Sequence, residues 1–204
     1  MKKINSKGFT LIELLAVITI MGILMLVAIP AVSRTIENSR RDTYMDTAKA
    51  YLNAVKNAVA ADEIRCYKSG DTTSDPNTKR SVISAVPEGT YYLPFKSDES
   101  SGQDLLEQGG KSSWGSSEVA GTIAITKSVD PSTGITKYSY AIAMVDAGGR
   151  GIYDKTVPTG QTTAKIYVNE ADLARQSVQT AGLNDQYSTV AVTEAAMSCI
   201  VLTA

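Results

Sequence analysis

Histidine is absent from the 204-residue chain, which removes imidazole acid/base chemistry, the Ser-His-Asp and Cys-His constellations and His-ligated zinc in one step. Neither sign of charge dominates: 20 Lys and Arg stand against 21 Asp and Glu, a formal net charge of −1, and the two signs are mixed along the chain. A nucleic-acid-binding domain would show a basic stripe or patch, and none is present. Aromatic residues are scarce, at 6%. This composition excludes a collagen, a coiled coil and a disordered tail, and fits one modest globular domain with an additional segment. No internal repeat occurs, and nothing follows a phosphate-binding pattern: Gly148-Gly149-Arg150-Gly151 and Trp114-Gly115 read as turn and core punctuation.

The hydrophobic residues are placed unevenly. From Phe9 to Val32 the chain is almost entirely apolar, and Leu14 to Val32 as a helix would span roughly 28 Å at about 1.5 Å per residue. That is about one hydrocarbon thickness. Lys2, Lys3 and Lys7 form a basic flank ahead of it, and the apolar run exceeds an ordinary signal-peptide core. Arg34, Arg40, Arg41 and Lys49 follow it, so counting positive charges does not fix an orientation. The polar loops and strand-like runs beyond Val32 argue that this side is exported.

Three residues break the pattern of the apolar run. Glu13 puts a carboxylate into it, at a cost if it lies deep in a bilayer; a place at the headgroup level is the other reading. Pro30 has no amide hydrogen and its ring collides with the Leu26 carbonyl, so a helix is expected to kink or loosen there. Gly22 weakens the same stretch, although membrane helices tolerate both glycine and proline.

The run Lys7-Gly8-Phe9-Thr10-Leu11-Ile12-Glu13-Leu14 resembles the class III signal of type IV prepilins, in particular the type IVa subclass. The resemblance covers about the first 30 residues. It implies a leader of residues 1–8, cleavage by a prepilin peptidase between Gly8 and Phe9, and methylation of the new Phe9 amino group by the same enzyme. Glu13 becomes the fifth mature residue and Pro30 the twenty-second, where many such pilins also have proline. The resemblance further implies that Glu13 neutralises the N-terminal amine of a neighbouring subunit, so the assembly residues are Glu13, Gly22 and Pro30. A carboxylate in an apolar bundle needs such a partner.

Beyond the apolar segment, Tyr44, Ala48, Tyr51, Leu52, Val55 and Val59 recur at helical spacing, with Arg41, Asp42, Asp46, Lys49, Asn53, Lys56 and Asn57 opposite. This predicts one rod from about Phe9 to about Ala61, near 80 Å long at about 1.5 Å per residue. Strand-like runs follow at 81–86, 90–95, 122–127, 135–145, 165–168, 190–193 and 200–203. A Pro/Gly-containing loop, Ser128–Gly134, joins the third and fourth as a hairpin. Helices are expected at 103–108 and at 170–179, the latter capped by Asn169. The fold class is α+β, a long N-terminal helix packed on an antiparallel sheet. The organisation reads as leader 1–8, transmembrane or filament-core helix 9–32, amphipathic continuation 33–66 and β-rich domain 67–204.

Cys66 and Cys199 lie on the side read as exterior. Paired, they would close a loop of about 130 residues and contribute roughly 4 to 5 kcal/mol in the loop-entropy model; otherwise they are two buried thiols acting as small hydrophobes. Asp71 with Asp75, and Asp62 with Glu63, lack calcium-loop spacing, so no metal and no cofactor are expected. The chain is expected not to be an enzyme. It is expected to be a pilin, held in the cytoplasmic membrane with its N-terminus inside and then polymerised with other copies into an extracellular pilus serving adhesion or twitching motility. Its partners are the prepilin peptidase/N-methyltransferase, the membrane assembly machinery and, before assembly, the lipid bilayer. Alternatives are a pseudopilin of a secretion or competence system, a minor pilin whose loops 68–80 or 96–118 bind a surface or DNA, and an unprocessed membrane-anchored domain.

Overall fold

A single helix, α1, runs from Leu11 to Ala60 in the computed structural model, which describes residues 10–67, 80–96, 112–115, 119–146, 148–154, 166–179 and 199–201. Leu, Ala and Met supply propensity in both halves of the helix. Helical structure continues through Pro30, whose missing amide removes one bond without ending it. The helix stops without a glycine. Asp62 takes a left-handed φ of 55°, Glu63 N donates to Ala58 O (2.9 Å) and Asp62 N to Val59 O (3.2 Å). This is a Schellman closure with aspartate in the position glycine usually occupies.

The chain divides into two compact units, Met1–Ser39 and Arg40–Ala204. In the second, all six residues of the expected stripe, from Tyr44 to Val59, are buried, and Ala58 joins them. Asp46, Lys49, Asn53 and Asn57 are exposed opposite. Ile64–Tyr67 forms β1 and Arg80–Val82 forms β2, while Cys199–Val201 completes a three-stranded sheet. Its order is Arg80–Val82, Ile64–Tyr67, Cys199–Val201, antiparallel throughout. The last six residues assigned above to the helical continuation therefore leave the helix.

The larger sheet contains β3 (Gly89–Lys96), β4 (Val119–Val129), β5 (Thr136–Asp146), β6 (Gly151–Ile152), β7 (Val168–Asn169) and β8 (Val178–Gln179). We number Cys199–Val201 as β9. The order is β3-β4-β5-β6-β8, with β7 also paired to β5. β4 and β5 pair over their full length, Val119 with Asp146 through Val129 with Thr136. Gly121 permits this close packing: a Cβ there would lie 2.3 Å from Ala143 O and 2.7 Å from the Phe95 ring. Core side chains from the sheets include Leu93, Phe95, Ile123, Ile125, Ile142 and Met144, packed with the α1 stripe. The Phe95 and Tyr51 rings stack at 4.3 Å.

The α+β class is as expected, and several local expectations need correction. Residues 83–85 form a turn after β2 rather than more strand. The β4–β5 hairpin loop begins at Asp130, because β4 runs on to Val129. Asp130 Oδ1 accepts from Ser132 N (2.9 Å) and Ser132 Oγ (2.5 Å), an Asx-type turn completed by Gly134 at φ 69°. Ile166 and Tyr167 are not strand; β7 begins at Val168. The helix expected over 170–179 is instead two single-turn 3-10 helices, Glu170–Asp172 and Arg175–Ser177, followed by β8. Leu173 and Ala174 between them are extended. The Asn169 side chain does not cap; it donates to Asp172 Oδ2 (3.2 Å). Ion pairs tie these turns to α1: Lys56 with Glu170, and Arg175 with Asp42 at 2.5 Å. The expected elements at 103–108 and 190–193 lie outside the described residues.

Two buried charges are fully partnered. Asp146 accepts from Gly148 N (2.8 Å), Arg150 N (2.9 Å), Ser112 Oγ (2.6 Å) and Arg150 Nε (3.2 Å). The Arg150 guanidinium lies 5.5 Å over the Trp114 ring, itself 5.5 Å from the Tyr44 ring. Lys127 Nζ donates to the carbonyls of Ser84 (2.6 Å), Val86 (2.7 Å) and Ile83 (3.4 Å). Buried charges persist only with hydrogen bonds of this kind.

The tyrosines set an alkaline limit. Burial raises Tyr44 well above its ordinary value, with the Asp146 charge adding to it. Burial, then the neighbouring Tyr138 and Glu170, pushes Tyr140 up to about 12. Between about pH 10, where an unfolded tyrosine ionises, and those raised values, the native state holds protons that the unfolded chain has released. Stability must fall as pH rises through that window and be independent of these groups below it. Denaturant midpoints measured with tyrosinate absorbance should be flat to about pH 9.5 and then drop steeply; a midpoint unchanged to about pH 12 would contradict this.

Candidate functional site

The first unit is the unusual part of the molecule. Every residue from Thr10 to Ile36 is exposed, including Leu11, Ile12, Leu15, Ile18, Leu24 and Leu26. This half of α1 is apolar and long enough to cross a membrane. Among the described residues none covers it, so an apolar surrounding must come from elsewhere, a bilayer or other helices.

Four of its polar side chains, those of Thr10, Glu13, Thr19 and Thr35, are hydrogen-bonded within the helix, which suits a low-dielectric surrounding. Thr19 Oγ1 donates to Ala16 O (2.8 Å) and Thr35 Oγ1 to Ala31 O (3.1 Å). Glu13 belongs to a reciprocal cap. Its Oε2 accepts from Thr10 N (2.9 Å) and Thr10 Oγ1 (2.8 Å), while Glu13 N donates to Thr10 Oγ1 (3.4 Å). This is the T-x-x-E capping box at the first turn of a helix, where the macrodipole also favours a carboxylate. Reading Glu13 only as a charge in need of an external partner overlooked Thr10. The spacing of the two residues was the available signal.

The other residues expected to serve assembly do not converge with Glu13 on one face. At about 100° per residue, Glu13 and Gly22 face opposite sides of α1, and Pro30 is turned about 80° from Gly22. A Cβ on Gly22 would meet nothing within 4 Å, so packing within this chain does not require the glycine. Gly8 and Phe9 lie outside the described residues, as do Asp71 and Asp75. Among the described residues no cluster of three or more Cys, Asp or Glu could hold a metal ion.

In the second unit, Cys66 and Cys199 are joined by a disulfide across 133 residues. They face each other in the β1–β9 register, and both are fully buried. Of the two readings left open by the sequence, the structure contains the bonded one.

Comparison with known families matches residues 3–29 to the prokaryotic N-terminal methylation motif. No curated protein and no solved structure matches the chain. The motif and the long apolar helix together support a type IV pilin-like prepilin N-terminus.

Proposed function

We propose that the chain is a structural, non-catalytic subunit of an extracellular type IV pilus, stored in the cytoplasmic membrane and polymerised through the apolar half of α1. The observation that carries this reading is the methylation motif at residues 3–29 leading into a helical segment, Thr10–Ile36, that the described residues leave uncovered. A bilayer covers that surface before assembly. The same surface of neighbouring subunits covers it afterwards, with Glu13 pairing to the Phe9 ammonium of another copy. The size of the β-rich domain supports a pilus over a secretion pseudopilus.

Processing tests the reading directly. The mature protein should begin at N-methylated Phe9, and Gly8→Leu should leave the full-length precursor in the membrane with its leader attached. Loss of Lys2, Lys3 and Lys7 takes the side-chain balance to 17 basic against 21 acidic groups, a shift visible on isoelectric focusing. Mass spectrometry of the terminus decides the matter: a mature end near Arg34 would mean an ordinary signal peptidase had cut and would overturn the proposal. Electron microscopy of surface filaments, with this chain as their main subunit, is the complementary expected result.

A further inference from the structure

We infer that the second unit carries a binding cleft for a neutral oligosaccharide, formed between the Lys56 region of α1, the outer half of β5 and the turn Asn169–Asp172. The cleft has a volume of about 450 Å³, within the roughly 300–1,000 Å³ range of small-ligand sites. It does not depend on the filament reading, because every residue lining it belongs to the second unit.

Aromatic surface comes from Tyr138 and Tyr140, two residues apart on one face of β5 and each only partly buried. Their hydroxyls have no hydrogen-bond partner among the described residues. Such rings offer a flat apolar face with a polar edge. Beside them Asp172 has one oxygen occupied by Asn169 Nδ2 at 3.2 Å, which leaves acceptor capacity on the carboxylate and on the Asn169 carbonyl. Ring faces flanked by a carboxylate, an amide and hydroxyls match a pyranose, whose C–H face is apolar and whose rim presents paired hydroxyl donors.

Charge narrows the class. A cation would seek the tyrosine faces, but Lys56 Nζ already lies 5.7 Å from the Tyr140 ring centre and is paired with Glu170. An anion would meet Glu170 and Asp172. With the ammonium and one carboxylate neutralising each other, the remaining groups suit a ligand that brings hydroxyls and no charge. Length follows from a second cleft of about 310 Å³, which shares Asn169 and Asp172 with the first and continues past Tyr153, Tyr167 and Gln176. Consecutive sugars can lie across the one turn, so an oligosaccharide fits better than a single residue.

The test uses the full chain in a zwitterionic, non-glycosidic detergent, so that the micelle presents no sugar. Cellotriose, chitotriose, maltotriose and mannotriose are titrated by calorimetry and saturation-transfer NMR, with their monosaccharides, sialyllactose and spermidine as comparators. At least one neutral trisaccharide should saturate the protein with a Kd on the order of 1 mM or lower, its monosaccharide binding about tenfold or more weakly. Asp172→Ala, at an exposed position, and Tyr138→Ala should each raise Kd about tenfold, equivalent to about 1.4 kcal/mol, with the thermal midpoint of the Asp172 variant unchanged. The proposal is overturned by absence of saturation with all four trisaccharides at about 20 mM, by equal affinity for the monosaccharides, by tighter binding of spermidine or sialyllactose, or by an unaltered Kd in the folded Asp172 variant.

Discussion

Cells producing Glu13→Gln should be nearly bald of filaments although the mature subunit accumulates in the membrane at wild-type levels. The observed cap and the proposed charge pairing of Glu13 are separable by this substitution. Glutamine serves the N3 position of a capping box almost as well as glutamate, so the Thr10–Glu13 closure at the start of α1 survives. The negative charge does not. If assembly requires a carboxylate to meet the Phe9 ammonium of a neighbour, the amide leaves that ammonium unpaired in an apolar bundle, a defect repeated in every subunit. Glu13→Ala removes cap and charge together and should show the same loss of filaments. In both variants the Arg40–Ala204 unit should unfold at the wild-type temperature, since it contains neither residue. Filaments are counted by electron microscopy at matched levels of mature subunit. Normal piliation in both would assign Glu13 to helix capping alone; loss in alanine but not glutamine would locate its role in the cap.

The second large effect is expected at the disulfide. Cys66 and Cys199 enclose 133 residues of sequence separation, and a closure of that size contributes roughly 4 to 5 kcal/mol by restricting the unfolded chain. At the scaling of a domain of 150 residues or more, this corresponds to a thermal midpoint lower by about 10–20 °C. The double variant Cys66→Ala/Cys199→Ala, and the wild-type protein in reductant, should agree with each other within a few degrees. Agreement matters because the alanines also remove two fully buried side chains, a packing loss that reduction leaves out. Circular dichroism melts of the full chain in detergent provide the measurement. A midpoint unchanged by reduction would show that the β1–β9 pairing holds without its covalent link.

The sequence revealed most where a periodicity was long. Tyr44 to Val59 spans more than four turns, and all six residues picked by spacing are buried. The β4–β5 hairpin was legible because two long runs of strand formers flank a turn rich in Asp, Pro and Gly. Short elements escaped: β6, β7 and β8 have two residues each, too few for alternation to register. The end of α1 was approximately legible, yet its mechanism was hidden, since aspartate rather than glycine takes the left-handed position. Residues 170–179 failed for a tertiary reason. Ala171, Leu173, Ala174 and Arg175 favour a helix locally, but Glu170 and Arg175 are fixed to Lys56 and Asp42 on α1, and Val178 pairs with Ile152. An extended pair, Leu173-Ala174, meets these constraints. Of the candidate assembly site, the carboxylate was conspicuous and its threonine partner was not, because a polar residue beside an apolar run draws less notice than a charge within it.

Strand β1 imposes an order of events on the maturing chain. It is the middle strand of its sheet, between β2 and β9, yet Ile64 pairs with Val201, so one of its two edges must wait for a segment synthesised and delivered more than a hundred residues later. Until then the hydrogen-bonding groups on that side are open, the condition under which strands pair with the wrong partner. The N-terminal helix would already be complete while the sheet that follows it was still unfinished. Contacts of such long sequence range form slowly, and the thiol of Cys66 must stay reduced and unclaimed through the whole interval. For this fold, the hazardous period is the delay between the first cysteine's emergence and the second's arrival.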